Sequence, residues 1–342
     1  MEAAVKFSAA ILRSSKKPLD VETISFVDNL KPGQVIVKIQ TTGICGSQIG
    51  EIDAVKGPDP YLPHLLGHEA VGVVIDKGDS QKVLNGDQVI LHWIKGSGRN
   101  AEPPRYFLGS ERINAGQIAT FTEYAIVSEN RLTKVPNCKP SHLDAWATLG
   151  CAYLTAYGTL KRIIGRNRLT EALVLGGGGI GQATVLLLSE IFASTITLIE
   201  NVNARAEYCK TLGANNIHSL NEQDVLINHF DSAIDTTGTP NVIEYGYNAI
   251  KDSGILALIG VTPKGATISI DPMPLHYGRE LVGIYGGNAK PDEDIPELVD
   301  FFQAEIISKL LHEKFTLNSI NSALLEMRSG SLIGRAILNL EN

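Results

Sequence analysis

The sequence has few cysteines, no long hydrophobic run and no cluster of basic residues. Four cysteines among 342 residues are too few for a disulfide scaffold, and no two of them form a C-x-x-C pair. The longest apolar runs, such as 255–259, are too short to span a bilayer. The 30 basic residues are outnumbered by 37 acidic ones, giving a net charge of −7. We therefore expect neither a membrane nor a nucleic-acid partner.

The amino-terminal residues also lack the features of a secretory signal. The stretch MEAAVKFSAAILRSSKK holds one short apolar patch and no apolar core that leads to a cleavage site. We therefore expect a reduced, cytoplasmic protein. The hydrophobic fraction of 44% is ordinary for a globular chain, and the length is enough for about two domains.

Short strands broken by glycine and proline are predicted over the first 150 residues. Residues 34–40 alternate in polarity after the turn sequence Lys31-Pro32-Gly33, and residues 70–75 and 88–91 are apolar β-branched runs. Residues 97–116 are polar and contain two adjacent prolines, which predicts a surface loop. The pattern is typical of a β-rich domain with long loops.

From about residue 150, strands alternate with helices. Strands are predicted at 172–175, 195–199, 232–235 and 254–259, with helices at about 182–191 and 204–212. This alternation predicts a parallel sheet covered on both faces. The last fifty residues predict a helix at about 294–311, a strand near 314–315, a helix at about 319–328 and a strand at 335–340.

A glycine motif lies between the first of these strands and its helix. Gly176, Gly178 and Gly181, with Gly179 and Ile180 among them, form G-x-G-x-x-G. Residues without a Cβ let the backbone approach a pyrophosphate at the free N–H groups of a helix start. Glu200 ends the next strand, where a carboxylate can accept both ribose hydroxyls of NAD and would repel the 2′-phosphate of NADP. Arg205 either reaches the adenosine ribose or is a solvated helix residue.

Three residues far apart in the sequence form a candidate metal-ligand set. Taken singly, Cys45, His68 and Cys151 could each be an ordinary buried side chain. Together they make a Cys₂His set, which suits a catalytic zinc ion with a fourth position open to water or substrate. Cys138 and Cys209 lack such surroundings, and we interpret them as structural.

The chain resembles the zinc-dependent alcohol dehydrogenases of the medium-chain dehydrogenase/reductase superfamily. The resemblance runs over nearly the whole sequence, with many motifs in the family's order and spacing. These motifs are Gly43-x-Cys45-x-Ser47, Gly67-His68-Glu69-x-x-Gly72, Gly86-Asp87-Gln88-Val89-Ile90, Phe121-Thr122-Glu123-Tyr124, Gly150-Cys151, Thr155-Ala156-Tyr157-Gly158, the glycine motif with Glu200, Gly278-Arg279, Gly286-Gly287 and Gly334-Arg335.

The resemblance implies a Rossmann doubly wound parallel sheet together with a β-rich, GroES-like catalytic domain. The catalytic domain would be split between residues 1–152 and 285–342, and the NAD-binding domain would span 153–284. Relatives are dimers or tetramers that commonly pair through the edge of the coenzyme sheet. We therefore expect a homodimer or homotetramer, with the contact around residues 281–286.

The resemblance also implies roles for individual side chains. Cys45, His68 and Cys151 would hold one zinc ion, Glu69 would lie behind it, and Ser47 would take the alcohol proton. Trp93 and Phe121 would wall the substrate pocket, although both could instead be core aromatics. Arg335 would meet the coenzyme pyrophosphate or serve as a surface ion-pair residue.

Three departures from the family pattern qualify these roles. Residues 92–116 contain no cysteine, so the second, structural zinc of many relatives is not expected. Gly50 replaces a relay histidine, so the proton must leave through ribose, water or another group. Gln48 replaces an aspartate that would orient the zinc-bound histidine, which predicts weaker support of that ligand.

The leading hypothesis is a zinc-dependent oxidoreductase that reversibly oxidises an alcohol to an aldehyde or ketone with NAD. One alternative is a zinc-free quinone or enone reductase of the same superfamily that uses NAD(P)H. Another is a non-catalytic coenzyme-binding homologue. The polar stretch 95–106 is either a solvated connector or a contact for a polar substrate, and Lys95, Arg99 and Arg105 would suit an anionic group.

Overall fold

The computed structural model describes residues 5–26, 29–164, 169–220 and 226–340. The chain forms two compact units. Unit 1 comprises residues 1–151 and 290–342, and unit 2 comprises residues 152–289. The first boundary lies one residue before the predicted domain limit, and the second lies five residues after it. Among the described residues, no helix has the length and apolarity to cross a bilayer.

The first part of unit 1 is made mostly of short strands, as the alternating and β-branched runs predicted. Its described residues include two short α-helices, α1 (Gly46–Ile52) and α2 (Leu143–Trp146). The strands are β1 (Val5–Leu12), β2 (Asp20–Phe26), β3 (Gln34–Gly43), β4 (His64–Leu65), β5 (Ala70–Asp76), β6 (Gln88–Leu91), β7 (Arg105–Leu108), β8 (Glu111–Asn114), β9 (Tyr124–Ser128) and β10 (Leu132–Lys134).

The prediction of a continuous surface loop over 97–116 is wrong in its second half. Strands β7 and β8 form an antiparallel hairpin there, and Tyr106 pairs with Ile113 across it. Both of these side chains are fully buried, and the Tyr106 hydroxyl accepts a hydrogen bond of 2.8 Å from the Ile126 N–H. Only one or two residues in each strand face inward, so the hydrophobic alternation is too short to stand out from the polar sequence around it.

Unit 2 is an alternation of parallel strands and helices, as predicted. The six strands in the described part of this unit run parallel in the order β13-β12-β11-β14-β15-β16. This order is that of a Rossmann doubly wound sheet. The elements are α3 (Leu154–Ile164), β11 (Glu171–Leu175), α4 (Gly179–Phe192), β12 (Thr195–Ile199), α5 (Asn203–Thr211), β13 (Asn216–His218), β14 (Phe230–Asp235), α6 (Pro240–Ala249), β15 (Ile250–Leu258), α7 (Met273–His276) and β16 (Glu280–Gly283).

The carboxyl-terminal residues return to unit 1. Their elements are α8 (Pro291–Phe301), α9 (Ala304–Ile307), β17 (His312–Thr316), α10 (Ile320–Ser329) and β18 (Arg335–Asn339). The single helix predicted over about 294–311 is therefore wrong. The chain leaves helical geometry at Phe302, whose side chain is fully buried, and the Gln303 amide donates to the Asp300 carbonyl at 2.8 Å. That hydrogen bond satisfies a carbonyl left without a partner at the end of α8.

Two sheets organise unit 1. Strands β1, β2, β7, β8 and β4 close into a small barrel, and the second sheet has the order β10-β6-β5-β3-β18-β17 with β9 also paired to β3. The sheet faces bury a core that includes Val37, Leu91 and Leu338. Strand β18, near the carboxyl terminus, lies inside the second sheet between β3 and β17. The end of β3 leads to the candidate metal ligand Cys45, and the end of β6 leads to Trp93.

Candidate metal centre and coenzyme site

The three predicted metal ligands lie together in unit 1. Cys45 follows β3 and precedes α1, His68 lies between β4 and β5, and Cys151 lies in a π-helical turn, Leu149–Tyr153. The His68 Nε2 is 3.2 Å from the Cys151 Sγ, and the two sulfur atoms are 3.8 Å apart. One ligand atom from each residue lies within 4.8 Å of the other two. This spacing lets all three side chains reach a single ion.

The turn that carries Cys151 packs very closely against β6. A Cβ atom added to Gly150 would lie 1.9 Å from the Leu91 carbonyl oxygen, so only glycine fits there. Gly150 therefore lets the backbone before Cys151 approach the strand end. Turns of π-helical geometry are often found at functional sites. The close contact fixes the sulfur of Cys151 at the cluster.

Hydrogen bonds and charges within the cluster shift the pKa values of all three side chains. The hydrogen bond from Cys151 lowers the pKa of the Cys45 thiol well below its ordinary value, and His68 adds to this effect against the opposing effect of burial. Burial lowers the pKa of His68, but the hydrogen bond and charge of Cys45 raise it by more. The hydrogen bond to Cys45 and burial raise the pKa of Cys151. A thiolate at Cys45 is the form that binds metals.

The buried side chains behind the ligands form an ion pair. Glu69 is fully buried, and its Oε1 accepts a hydrogen bond from the Arg335 guanidinium on β18. The candidate ligand His68 is thus followed directly by a buried carboxylate that is paired with a guanidinium. The structure thus gives Arg335 a neighbour inside unit 1, and its contact with a coenzyme pyrophosphate stays a prediction.

Gln48 makes contacts that the sequence reasoning underrated. Its side chain is 1% exposed and lies in the first turn of α1. The Gln48 Oε1 accepts from the Cys45 N–H at 2.7 Å, and the Gln48 Nε2 lies 2.6 Å from the His68 Nδ1. Gln48 therefore contacts His68 in place of the family's aspartate, and the weaker support expected from it stays a prediction. The C-x-x-Q spacing, a helix cap followed three residues later by glutamine, was the signal for it.

The remaining predicted site residues of unit 1 differ in their placement. Ser47 is exposed on α1, two residues after Cys45, and Trp93 is partly exposed with its ring centroid 6.4 Å from that of His68. Phe121, by contrast, is fully buried in the hydrophobic core. This burial favours the core-aromatic alternative for Phe121, and its role as a wall of the substrate pocket stays a prediction. Arg99 lies 2.5 Å from Asp79 and so is already paired with a carboxylate, which weakens the idea of an anion site around it.

The glycine motif in unit 2 forms the turn between β11 and α4. A Cβ atom on Gly181 would lie 1.8 Å from the Gly176 carbonyl oxygen, so the helix and the turn can close only without a side chain there. A Cβ atom on Gly178, the residue before the helix, would meet no other group within 4 Å. The turn is thus packed on its helix side and open at its tip. The first N–H groups of α4 lie at that open tip.

A cavity of about 300 Å³ lies beside the glycine turn. Glu200 lines it, and its carboxylate accepts from the Gly177 N–H at 2.7 Å and from the Val202 N–H at 2.8 Å. Arg205 also lines this cavity. Sequence reasoning missed Thr237, which lines the opposite wall just after β14, where parallel strands end and ligands commonly bind.

Comparison with known proteins connects these features to one family. Residues 31–137 match the family model described as alcohol dehydrogenase GroES-like domain, and residues 179–304 match that of zinc-binding dehydrogenase. The two ranges together cover more than half of the chain. The NDMA-dependent alcohol dehydrogenase of Amycolatopsis methanolica is 26% identical, over 98% of this chain and 99% of that protein.

Solved structures show the same fold. An alcohol dehydrogenase zinc-binding domain protein from Burkholderia ambifaria superposes with a TM-score of 0.89 at 24% identity, covering 99% of this chain and 100% of that one. Benzyl alcohol dehydrogenase from Acinetobacter calcoaceticus superposes with a TM-score of 0.86 at 24% identity, covering 98% and 100%. A GroES-like domain and a Rossmann-type domain are thus combined in this chain, as predicted.

Proposed function

Because the chain belongs to the medium-chain alcohol dehydrogenase family, we propose that it is a zinc-dependent oxidoreductase that transfers a hydride between an alcohol and NAD. The observation that carries the proposal is the convergence of Cys45, His68 and Cys151 in unit 1. The open glycine turn and the carboxylate of Glu200 in unit 2 support the binding of NAD. The substrate is a small alcohol or the corresponding aldehyde or ketone.

The residues of the cluster fit a zinc ion. Two cysteine sulfurs and one imidazole nitrogen are a donor set that zinc prefers, and three protein ligands leave one position open, as in catalytic sites. Two thiolates would balance the charge of the dication. A bound zinc ion supplies a Lewis acid that lowers the pKa of an alcohol hydroxyl toward neutrality.

Side chains around the cluster have distinct tasks in this proposal. Ser47 is exposed two residues after Cys45, and its hydroxyl would accept the proton that the alcohol loses. Gln48 holds the ring of His68, and the Glu69–Arg335 pair braces the backbone that follows it. With Gly50 in place of a relay histidine, the proton would pass from Ser47 to the coenzyme ribose or to water.

The turn in unit 2 fits the pyrophosphate and ribose of a dinucleotide. The tip at Gly178 has room for a phosphate beside the N–H groups that begin α4. The Glu200 carboxylate would accept the ribose hydroxyls and repel an added 2′-phosphate, which favours NAD over NADP. The nicotinamide of a bound coenzyme supplies the hydride acceptor.

Zinc analysis and turnover of a matched pair of variants test the proposal. Native protein should contain about one zinc per chain and reduce NAD, followed by absorbance, with members of an alcohol panel. Cys45→Ala should lose both the zinc and the turnover, whereas Cys138→Ala, which changes a cysteine outside the cluster, should keep both.

The two alternative functions have different outcomes in the same experiment. NAD-linked turnover by Cys45→Ala without zinc would contradict the zinc mechanism. Reduction of enones by a zinc-free protein would instead identify a reductase of the same superfamily. Coenzyme binding without turnover would identify a non-catalytic homologue. The proposed homodimer or homotetramer would pair through β16, the edge strand of the coenzyme sheet, and light scattering measures that state separately.

A further inference from the structure

The hydrogen bonds of Gln48 conflict with the state in which His68 binds a metal. Gln48 is almost completely buried and lies between the Cys45 N–H and the His68 ring. Its amide oxygen faces the Cys45 N–H, and its amide nitrogen faces the His68 Nδ1. Reversal of the amide about its last bond would exchange oxygen and nitrogen in these two contacts.

The two ring nitrogens of His68 face different groups, and Nδ1 is the one that faces Gln48. The Nε2 lies 3.2 Å from the Cys151 sulfur, so it is the nitrogen that faces the thiols. A neutral imidazole that gives the Nε2 lone pair to a metal carries its proton on Nδ1. In the metal-bound state Gln48 therefore faces two N–H donors, one from His68 and one from Cys45.

Held in this place, the amide cannot accept from both donors, because its oxygen faces one of them and its NH₂ group faces the other. It has one accepting oxygen and one NH₂ group, which has no lone pair available. If the oxygen faces the Cys45 N–H, the NH₂ meets the His68 N–H. If the amide is reversed, the NH₂ meets the Cys45 N–H instead. A glutamate of the same shape would offer one oxygen to each donor, and both bonds would be charge-assisted.

We propose that Gln48 is a positioning residue that holds zinc more weakly at this centre than a carboxylate at the same position would. The proposal rests on the proposed zinc site, and it assigns to Gln48 the control of zinc affinity. Groups that hydrogen-bond a metal-ligating histidine change metal affinity by about 10- to 100-fold. Gln48→Glu should therefore raise the affinity for zinc by about that factor.

The test uses the full chain stripped of metal and titrated with zinc against a chelator of known affinity. Gln48→Glu also adds a negative charge near the ion, and this effect must be separated from the hydrogen bond. Glu51 offers the control, because it is an exposed carboxylate on α1 whose charge acts on His68. The double variant Gln48→Glu with Glu51→Gln keeps the net charge of the helix unchanged.

We expect the gain in affinity to persist in the double variant. In the zinc-loaded protein, the proton on the His68 Nδ1 should also move to lower field in its NMR spectrum, because its acceptor becomes a carboxylate. Gln48→Asp provides a second carboxylate if the glutamate variant does not fold. A gain that disappears in the double variant would show a charge effect alone and would overturn the proposal.

Two further outcomes are distinguishable. An unchanged or lower zinc affinity in both carboxylate variants, with native protein binding zinc, overturns the assignment to Gln48 and leaves the proposed function intact. Native protein that takes up no zinc, and whose zinc content does not differ from that of Cys45→Ala, overturns the proposed function and the assignment with it.

Discussion

Asp292 anchors the polar segment that follows Trp93, and its replacement by asparagine should loosen this segment. The carboxylate lies in α8 and accepts from the Ser97 N–H at 2.6 Å, from the Thr133 hydroxyl at 2.8 Å and from Lys82 at 2.7 Å. Asp292→Asn keeps the shape of the side chain, removes its charge and turns an NH₂ group toward one of these donors. The segment would then lose its strongest tie to the carboxyl-terminal part of unit 1.

The size of the effect follows from the pKa of Asp292. Burial raises this pKa, but the Lys82 and Ser97 hydrogen bonds lower it by more, so that it falls from 3.8 to about 2. At about 1.4 kcal/mol per pKa unit, the folded state favours the ionised form by about 2.5 kcal/mol. The side chain is 29% exposed, so solvent screening reduces the expected loss in Asp292→Asn to about 1–2 kcal/mol.

The pH dependence has a definite sign. Because the folded pKa lies below the unfolded value, the stabilisation is complete above about pH 4 and is lost as the pH falls toward 2. Native protein and Asp292→Asn should therefore differ most at neutral pH and converge in acid. Ionisation of Asp292 thus stabilises unit 1 throughout the physiological range.

Urea unfolding followed by tryptophan fluorescence measures this effect in the relevant unit. Both tryptophans of the chain, Trp93 and Trp146, lie in unit 1, so their signal reports that unit alone. A double-mutant cycle with Lys82→Met isolates the pair, and the segment after Trp93 should become more sensitive to proteolysis in Asp292→Asn. Equal stability of the native protein and Asp292→Asn at pH 7 would refute the reasoning.

Three further predictions concern the coenzyme site, the barrel and the ligand turn. Glu200→Gln should weaken NAD binding by about tenfold and reduce the preference for NAD over NADP, measured by fluorescence titration, since the charge that repels a 2′-phosphate is lost; unchanged selectivity would contradict the role. Tyr106→Phe should lower the free energy of unfolding by about 1–3 kcal/mol, because the buried Ile126 N–H loses its partner; equal denaturation curves would contradict this. Gly150→Ala should lower zinc content to below half of the native value, because the added Cβ would displace the turn from the Leu91 carbonyl; full occupancy would show that the turn adapts.

Sequence reasoning described unit 2 well because its strands are buried on both faces. Parallel strands of this kind appear as continuous apolar runs, and strands β11 and β12 lie within one residue of the predicted ranges. Helix α5 ends within one residue of the predicted end, and Gly213 just beyond it has a φ of +113°, which glycine tolerates. In these elements, the apolar runs and the glycine in the sequence agree with the burial and the turn in the structure.

The hairpin β7–β8 shows where such reasoning fails. Each strand has four residues, and most of the side chains that alternate with the buried ones are charged or polar, Phe107 being the exception. The hairpin exists because the barrel buries Tyr106 and Ile113, and that burial depends on strands distant in sequence. The hydrophobic pattern of a short segment does not identify the distant strands against which that segment packs.

The candidate metal centre was predicted by residue type and resemblance, whereas the contacts of Gln48 required the structure. The chemistry of cysteine and histidine identified Cys45, His68 and Cys151 although they are up to 106 positions apart. The role of Gln48 depended on the path of α1, which brings one amide within reach of both a backbone N–H and an imidazole. Donor and acceptor geometry of this kind is set by the fold, not by residue type.

The placement of β18 has a consequence for the biosynthesis of the chain. Because β18 is inserted between β3 and β17, the sheet of unit 1 is completed only after residue 339 has left the ribosome. Unit 2 is contiguous in sequence and has no such requirement. During translation, the end of β3 that leads to Cys45 therefore waits for β18, with which residues 41–43 pair, while unit 2 can already fold. Chaperone contact in that interval would be expected at residues 41–43 of β3, because residues 34–38 already pair with β9.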